Sequence, residues 1–132
     1  MKRVVVNGTF DILHRAHIEL LNHAKSLGNY LLVCIDSDAL VSFKKGPDRP
    51  IHNQWDRMFL LKNLKAVDDV WIFNSDKELE EQLWKYRPNI MVKGSDYKNK
   101  PIVGEEFCDT IVFFERQDEY STTKTIQNII NR

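Results

Sequence analysis

The sequence has no excess charge of either sign, because its 19 lysine and arginine residues balance 19 aspartate and glutamate residues. A neutral chain lacks the overall electrostatic signature of a nucleic-acid or membrane-surface binder, so any anion site must be local. No apolar stretch approaches the roughly 18–20 residues of a membrane span, and the first three residues lead straight into a short VVV run. We therefore expect a soluble, cytoplasmic protein that binds neither nucleic acid nor membranes.

Cysteine is scarce as well, with only Cys34 and Cys108 in the chain. The two cysteines form neither a C-x-x-C pair nor a disulfide framework, which leaves them as ordinary packing residues. Repeats, low-complexity tracts and linkers are also lacking, and 132 residues are most simply one domain with a single core.

Short apolar runs alternate with helical patterns along the chain. Strands are predicted at residues 2–6, 30–35, 69–73, 89–92 and 110–114, because each is short and continuously apolar. Helices are predicted at residues 15–27, 53–64, 76–86 and 122–130, the last three capped by Asn53, Asp76 and Ser121. Residues 37–52 are polar and contain glycine and two prolines, which predicts a loop with at most one helical turn.

Continuously apolar strands separated by helices are typical of a parallel sheet that is covered on both faces. The predicted fold class is therefore α/β, an open three-layer sandwich around a five-stranded parallel sheet, similar to a Rossmann fold. Ligands bind such sheets at the carboxyl ends of the strands, beside the point where the strand order reverses. The loops after the first, fourth and fifth strands are the places to search for a site.

The loop after the first strand reads NGTFDILHRAH, residues 7–17. It contains neither G-x-G-x-x-G nor G-x-x-x-x-G-K-[ST], which argues against a dinucleotide site or a phosphate loop of the usual kind. It nevertheless suits an anion, since Gly8 permits close approach of the backbone, Thr9 adds a hydroxyl and the following helix presents unpaired amides. His14 and His17, three residues apart at the helix start, are expected to lie on one face and to donate hydrogen bonds to phosphate oxygens.

Other interpretations of the histidine pair are a surface or capping role and a metal site. The only other histidines are His23 and His52, and no cysteine or carboxylate shows a matching ligand spacing. We therefore predict no protein-bound metal centre.

The stretch NGTFDILHRAH resembles the H-x-G-H signature of the nucleotidyltransferase superfamily that includes the cytidylyltransferases. Near the carboxyl terminus, EYSTTKTI resembles the second signature of that superfamily, in which Ser-Thr-Thr opens the final helix. The two motifs occur in the expected order, and the resemblance spans essentially the whole chain. One departure is Ala16, which stands where the signature has glycine, and we expect it to narrow the nucleotide pocket.

The resemblance implies a reaction in which an acceptor phosphate attacks the α-phosphate of a nucleoside triphosphate in line and pyrophosphate leaves. Catalysis is then mainly positioning and charge stabilisation. It implies that His14, His17 and Thr9 contact the triphosphate and that nearby phosphate favours protonated imidazole. Lys44 or Lys45 would supply a mobile cation, the alternative being a solvated surface pair. Mg²⁺ is expected to enter with the triphosphate.

The remaining site residues are assigned on the same resemblance. Nucleotide contacts are expected from Gly8, Thr9, Phe10, His17, Lys93, Gly94, Arg116, Ser121 and Thr122. Acceptor contacts are expected from Asp11, Asp36, Asp38, Arg57 and Asp96, and Asp11 is expected to be structural or to face the nucleotide rather than to bind a metal ion. Two alternatives stay open, since Ser121 is a good helix cap whatever its function and Arg57 could be a solvated helix charge.

Two substrate pairs fit the resemblance. The stretches KGPDRPI, AVDDV and VKGSDYKNKPIVGEE are most similar to the adenylyltransferase domains that form ADP-heptose. Chain length and the placement of Arg116 five residues before Ser121 are closer to the glycerol-3-phosphate cytidylyltransferases. The longer stretch favours ATP with a sugar 1-phosphate over CTP with glycerol 3-phosphate. A nucleotide-binding sensor without catalysis is the alternative of another class, and a homodimer is expected because the family often forms one.

Overall fold

The computed structural model describes residues 1–115 and 122–130. The strands are β1 (Arg3–Gly8), β2 (Tyr30–Asp36), β3 (Asp69–Phe73), β4 (Ile90–Gly94) and β5 (Thr110–Phe114). The helices are α1 (Arg15–Ser26), α2 (Asp38–Lys45), α3 (Gln54–Lys62), α4 (Asp76–Tyr86) and α5 (Thr122–Ile130), with short 3-10 helices at Ser95–Tyr97 and Glu105–Phe107. None of the helices in these two ranges has the length and apolar character that a membrane span needs.

The five strands form one sheet in the order β3-β2-β1-β4-β5, and every neighbouring pair is parallel. The predicted α/β fold with a five-stranded parallel sheet is therefore confirmed. The strand order reverses between β1 and β4, because the chain first adds β2 and β3 on one side and then returns to the other. The loop after β1 thus borders the crevice in which this class of fold binds ligands.

Two apolar cores cover the two faces of the sheet. On one, Leu21 and Ala24 of α1 and Leu61 of α3 pack against alternate strand residues, and we call it the α1 face. On the other, Leu40 of α2 and Leu79 of α4 do the same, and we call it the α4 face. Because strand side chains alternate, each residue at the carboxyl edge of the sheet can be assigned to one face by its position along the strand.

The polar stretch at residues 37–52 is not the loop that was predicted, since α2 occupies eight of its residues. The Ser37 side chain accepts a hydrogen bond from the Leu40 amide at 3.3 Å, which caps the helix. Leu40 and Val41 are buried, so packing stabilises a helix too short to be evident from hydrophobic periodicity. Gly46, at φ 105°, ends it in a conformation that glycine adopts readily.

The predicted helix caps have different outcomes. Asn53 caps α3 as expected, because its side chain accepts from the Asp56 amide at 2.8 Å. The prediction that Asp76 caps α4 is wrong by one residue: the cap is Ser75, which accepts from the Glu78 amide at 3.1 Å. Asp76 is instead the first helical residue, where its charge is favourable near the positive end of the helix dipole.

Gly28 follows α1 at the point where the chain turns back toward β2. A Cβ atom at this position would lie 2.6 Å from the Lys2 carbonyl oxygen and 2.7 Å from Val4 Cγ2. We expect Gly28→Ala to lower the free energy of unfolding by about 1–3 kcal/mol, because backbone of β1 would have to shift. Thermal and denaturant unfolding measure this, with Lys62→Ala on the exposed end of α3 as a control; equal stability of the two variants would contradict it.

Candidate active site

A cavity of about 220 Å³ lies at the carboxyl ends of β1 and β4. Its lining combines the loop after β1, the start of α1, the end of α2 and the segment that follows β4. The lining residues predicted from the sequence are Gly8, Thr9, Phe10, Asp11, His14, His17, Lys45, Lys93, Gly94 and Asp96. Tertiary structure therefore brings together residues that are up to 88 positions apart in the chain, from Gly8 to Asp96.

The two histidines of the first motif are stacked on one another. Their ring centroids are 3.9 Å apart and the ring planes are inclined by 21°, so both rings occupy the same wall of the cavity. The His14 backbone amide donates to His17 Nδ1 at 3.3 Å. Since an amide can only donate, Nδ1 is an acceptor in this geometry and His17 carries its proton on Nε2. His17 can therefore donate to a phosphate oxygen without first becoming an imidazolium.

Phe10 supports His17 from the loop before α1. The two rings meet edge-on, with their centroids 5.2 Å apart. Phe10 is buried and adopts φ 52°, and Ile12 has φ 48°, so two residues that are not glycine occupy the left-handed region. Position 8 has little room for a side chain, because the Phe10 ring lies over it. A Cβ atom at Gly8 would be 3.0 Å from Phe10 Cε2. Such strained residues persist only where surrounding contacts hold them.

Arg57 provides several of those contacts from α3. Its guanidinium donates to the carbonyl oxygens of Thr9 and His52, each at 3.0 Å, and to Asp38 Oδ1 at 2.9 Å. The residue is fully buried. The alternative of a solvated helix charge is wrong, because Arg57 is fully buried, and its expected contact with the acceptor stays a prediction. Arg57 joins the loop after β1 to the first turn of α2 and the start of α3.

Asp11 has a similar structural role on the other side of the loop. It is 1% exposed, and its two carboxylate oxygens accept from the backbone amides of Ile51 and His52 at 2.7 and 2.8 Å. Arg49 Nε lies 3.7 Å from the same carboxylate. These contacts support the structural interpretation of Asp11, and its expected contact with the acceptor stays a prediction.

The structure distinguishes the two candidate lysines at the end of α2. Lys45 lines the cavity and its Nζ donates to Thr9 Oγ1 at 3.1 Å. Lys44 instead pairs with Asp76 at 2.8 Å, in a contact in which both side chains are about half exposed. Its positive charge also contributes to the lowered pKa of Lys93.

The carboxyl ends of β2 and β4 contribute charged residues. Lys93 is almost completely buried, with its Nζ 3.5 Å from Asn7 Oδ1 and 4.0 Å from the centroid of the Tyr97 ring. Burial lowers the pKa of Lys93, and the Asp96 and Asp36 carboxylates oppose that change. Asp96 lies over Gly94, where an added Cβ would be 2.5 Å from its Oδ1. Asp36 is buried at the end of β2.

The second motif lies largely outside the described residues. Arg116 and Ser121 fall in the part of the chain that the structure does not describe, and Thr122 is known only as the first residue of α5. Their expected nucleotide contacts stay predictions.

Sequence reasoning missed Asn7, Arg49 and Tyr97, which also line the cavity. Asn7 is the first residue of the first motif and lies at the end of β1, and a polar residue at that position was the available signal. Arg49 and Tyr97 lie in stretches that carry the family resemblance, KGPDRPI and VKGSDYKNKPIVGEE, but only the fold brings the segments after α2 and β4 against the loop. Ala16 also lines the cavity, so its methyl group occupies part of the wall beside the histidines.

Comparisons with known proteins concern the chain as a whole. A family model described as cytidylyltransferase-like matches residues 5–128. The chain is 44% identical over 128 residues to the bifunctional protein HldE of Helicobacter pylori, and 43% identical over 129 residues to the protein of the same name from a Nitratiruptor species. Each match covers 97% of this chain but only 27% and 28% of the respective relative. The chain thus spans little more than a quarter of these curated relatives.

A solved structure is similar over nearly its whole length. It is the lipopolysaccharide core biosynthesis protein from Thermoplasma volcanium, with a TM-score of 0.73 and 28% sequence identity. The match covers 89% of this chain and 99% of that one. It agrees with the fold described above.

We expect Lys45→Ala to lower turnover by about 10²–10³-fold, as loss of one preorganised cation at a developing charge typically does. Lys44→Ala should lower turnover much less, because the Lys44 ammonium pairs with Asp76 in an exposed contact, whereas the Lys45 ammonium contacts Thr9 of the cavity. Steady-state pyrophosphate release by the two variants is the measurement. A larger loss in Lys44→Ala than in Lys45→Ala would reject this assignment.

Arg57→Lys tests the buried junction. An ammonium group cannot reproduce the planar fork of the guanidinium, so at least one of the three acceptors would lose its donor. We expect the free energy of unfolding to fall by about 2–4 kcal/mol, given about 1–3 kcal/mol for each buried group left unsatisfied. Denaturant unfolding against Arg87→Lys, an exposed arginine, checks this, and a loss no larger than that of the control speaks against it.

Proposed function

This chain belongs to the cytidylyltransferase-like family, and on that premise we propose that it is a nucleotidyltransferase that transfers AMP from ATP to a sugar 1-phosphate. The observation that carries the proposal is the stacked pair His14 and His17 at the start of α1, facing a cavity at the reversal point of the sheet. A phosphate placed there meets two imidazole donors, the Lys45 ammonium and the amides of a helix N-terminus.

The chemistry follows from this set of donors. An oxygen of the acceptor phosphate attacks the α-phosphorus of ATP, the bond from that phosphorus to the bridging oxygen breaks, and pyrophosphate leaves with the electron pair. Negative charge grows on the phosphate oxygens during the displacement. Groups that donate to those oxygens more strongly in the transition state than in the ground state accelerate it. His17 Nε2–H and the Lys45 ammonium are suited to this role, and no covalent enzyme intermediate is needed.

Mg²⁺ is proposed to arrive with the triphosphate. Within residues 1–115 and 122–130, no group of three or more histidine, cysteine, aspartate or glutamate side chains could hold a metal ion. Asp11 is occupied by two backbone amides. Such a site suits an ion that keeps most of its waters and is bound through substrate phosphates, where it neutralises charge.

The acceptor class rests on sequence similarity. Residues 92–106 resemble the adenylyltransferases that form ADP-heptose, and the matched solved structure is described as a lipopolysaccharide core biosynthesis protein. Both favour an activated sugar as product, so heptose 1-phosphate is the proposed acceptor. The bifunctional relatives are much longer than this chain, and no second activity is proposed for it.

A homodimer is proposed as well. Phe43 of α2 and Trp55 and Phe59 of α3 are all more than 60% exposed. Apolar surface of this kind is what a second copy would cover.

A substrate panel tests the proposed function. ATP and CTP are each combined with heptose 1-phosphate and glycerol 3-phosphate, and pyrophosphate release is measured. We expect ATP with heptose 1-phosphate to give the highest kcat/KM. Preference for CTP with glycerol 3-phosphate would change the assigned substrates but not the class of reaction. Tight ATP binding without pyrophosphate release in the presence of any acceptor would indicate a nucleotide sensor.

The same assay includes His17→Ala and His23→Ala as a matched pair on α1. His17→Ala should lower turnover by about 10²–10³-fold through loss of one charge-stabilising donor. The His23 ring contacts Phe114 and does not itself line the cavity, so its replacement should have little effect. Equal activity of the two folded variants would reject the role given to His17.

A further inference from the structure

The carboxyl edge of the sheet presents different groups on its two faces. Val5 of β1 pairs with Met91 of β4, and both belong to the core on the α4 face. Two residues further along these strands are Asn7 and Lys93, which strand alternation places on the same face. The 3.5 Å separation between Lys93 Nζ and Asn7 Oδ1 agrees with this placement.

Asp36 joins them from β2. It follows Cys34 by two residues, and Cys34 also packs in the core on the α4 face. Asp36 is 7% exposed, and its Oδ1 is buried and accepts no hydrogen bond from any residue in the described ranges. Lys93 is 9% exposed, and among the described residues its one hydrogen bond is the long contact to Asn7. A buried carboxylate oxygen without a donor is costly unless a ligand supplies the missing hydrogen bond.

The histidines approach from the opposite side. They lie on α1, whose buried residues Leu21 and Ala24 pack against the α1 face. Two sets of phosphate-binding donors therefore flank one sheet edge, the histidines from the α1 face and Lys93 from the α4 face. An in-line displacement needs this division, because the acceptor must approach the α-phosphorus from the side opposite the leaving pyrophosphate.

We propose that Lys93 and Asp36 form the acceptor subsite, in which the Lys93 ammonium binds the acceptor phosphate and Asp36 accepts a hydrogen bond from a sugar hydroxyl. The proposal rests on the proposed function and changes one expectation from the sequence, which placed Lys93 against the nucleotide. Tyr97 provides a flat wall beside the subsite, since its ring lines the cavity 4.0 Å from Lys93 Nζ. The acceptor class that fits is a hydroxyl-rich phosphomonoester with a ring face.

The first test separates acceptor from nucleotide. Lys93→Met keeps an unbranched side chain of similar length and removes the charge, and Lys100→Met makes the same change at an exposed site in the following loop. We expect the KM for heptose 1-phosphate to rise by about 10- to 100-fold in Lys93→Met, the loss that follows from removing one charge-assisted hydrogen bond. The KM for ATP should stay within about threefold, and Lys100→Met should resemble the wild type.

Asp36→Asn is the second variant, because it retains the shape of the side chain if Lys93→Met fails to fold. It should raise the KM for heptose 1-phosphate and reduce the preference for this acceptor over a deoxy analogue that lacks one ring hydroxyl. A rise in the KM for ATP in either variant, with the KM for the acceptor unchanged, would indicate that Lys93 contacts the nucleotide. That result would overturn the proposal.

A binding measurement distinguishes failure of the subsite from failure of the proposed function. Calorimetry records the affinity for α,β-methylene ATP, and then for heptose 1-phosphate in the presence of that analogue. If Lys93→Met loses acceptor binding but still binds the analogue, the subsite is supported. This holds even if the wild type releases no pyrophosphate. Unchanged acceptor binding in Lys93→Met, or no acceptor binding by the wild type, overturns it.

Discussion

The buried guanidinium of Arg57 is the contact on which the site depends. It is completely removed from solvent, and it donates to two backbone carbonyls and one carboxylate. One of those carbonyls belongs to Thr9, next to Phe10, whose backbone is held in the left-handed region. A charge removed from water is tolerated only when it is paired and hydrogen-bonded, so its three partners are constrained to converge on it.

The consequences of that convergence extend through the loop after β1. With Thr9 fixed, Phe10 packs over Gly8 and its ring contacts the His17 ring edge-on. The His14 amide donates to His17 Nδ1 and so makes that nitrogen the acceptor. Lys45 reaches the same Thr9 through its hydroxyl. The proposed phosphate donors are thus placed by packing and backbone hydrogen bonds, which is how a preorganised site lowers the cost of stabilising new charge.

The sheet supplies the second organising constraint. Alternation of side chains along parallel strands separates the edge into an α1 face with the histidines and an α4 face with Lys93 and Asp36. The proposed reaction brings two anions together, so cationic donors are needed on both sides of the reacting phosphorus. The reversal of strand order between β1 and β4 opens the crevice where the two sets meet.

The sequence by itself determined the class of fold and the first motif. Five apolar strands alternating with helices require a doubly covered parallel sheet, and histidines three residues apart at a helix start must share a face, because both inferences rest on local periodicity. Tertiary structure alone decided that Lys45 and not Lys44 enters the cavity, that Arg57 is buried, and that α2 is a helix. Neighbouring lysines are chemically identical in the sequence, and an arginine on a helix carries no local sign of burial. Their roles depend on which distant segments pack against them, and that information exists only in the folded chain.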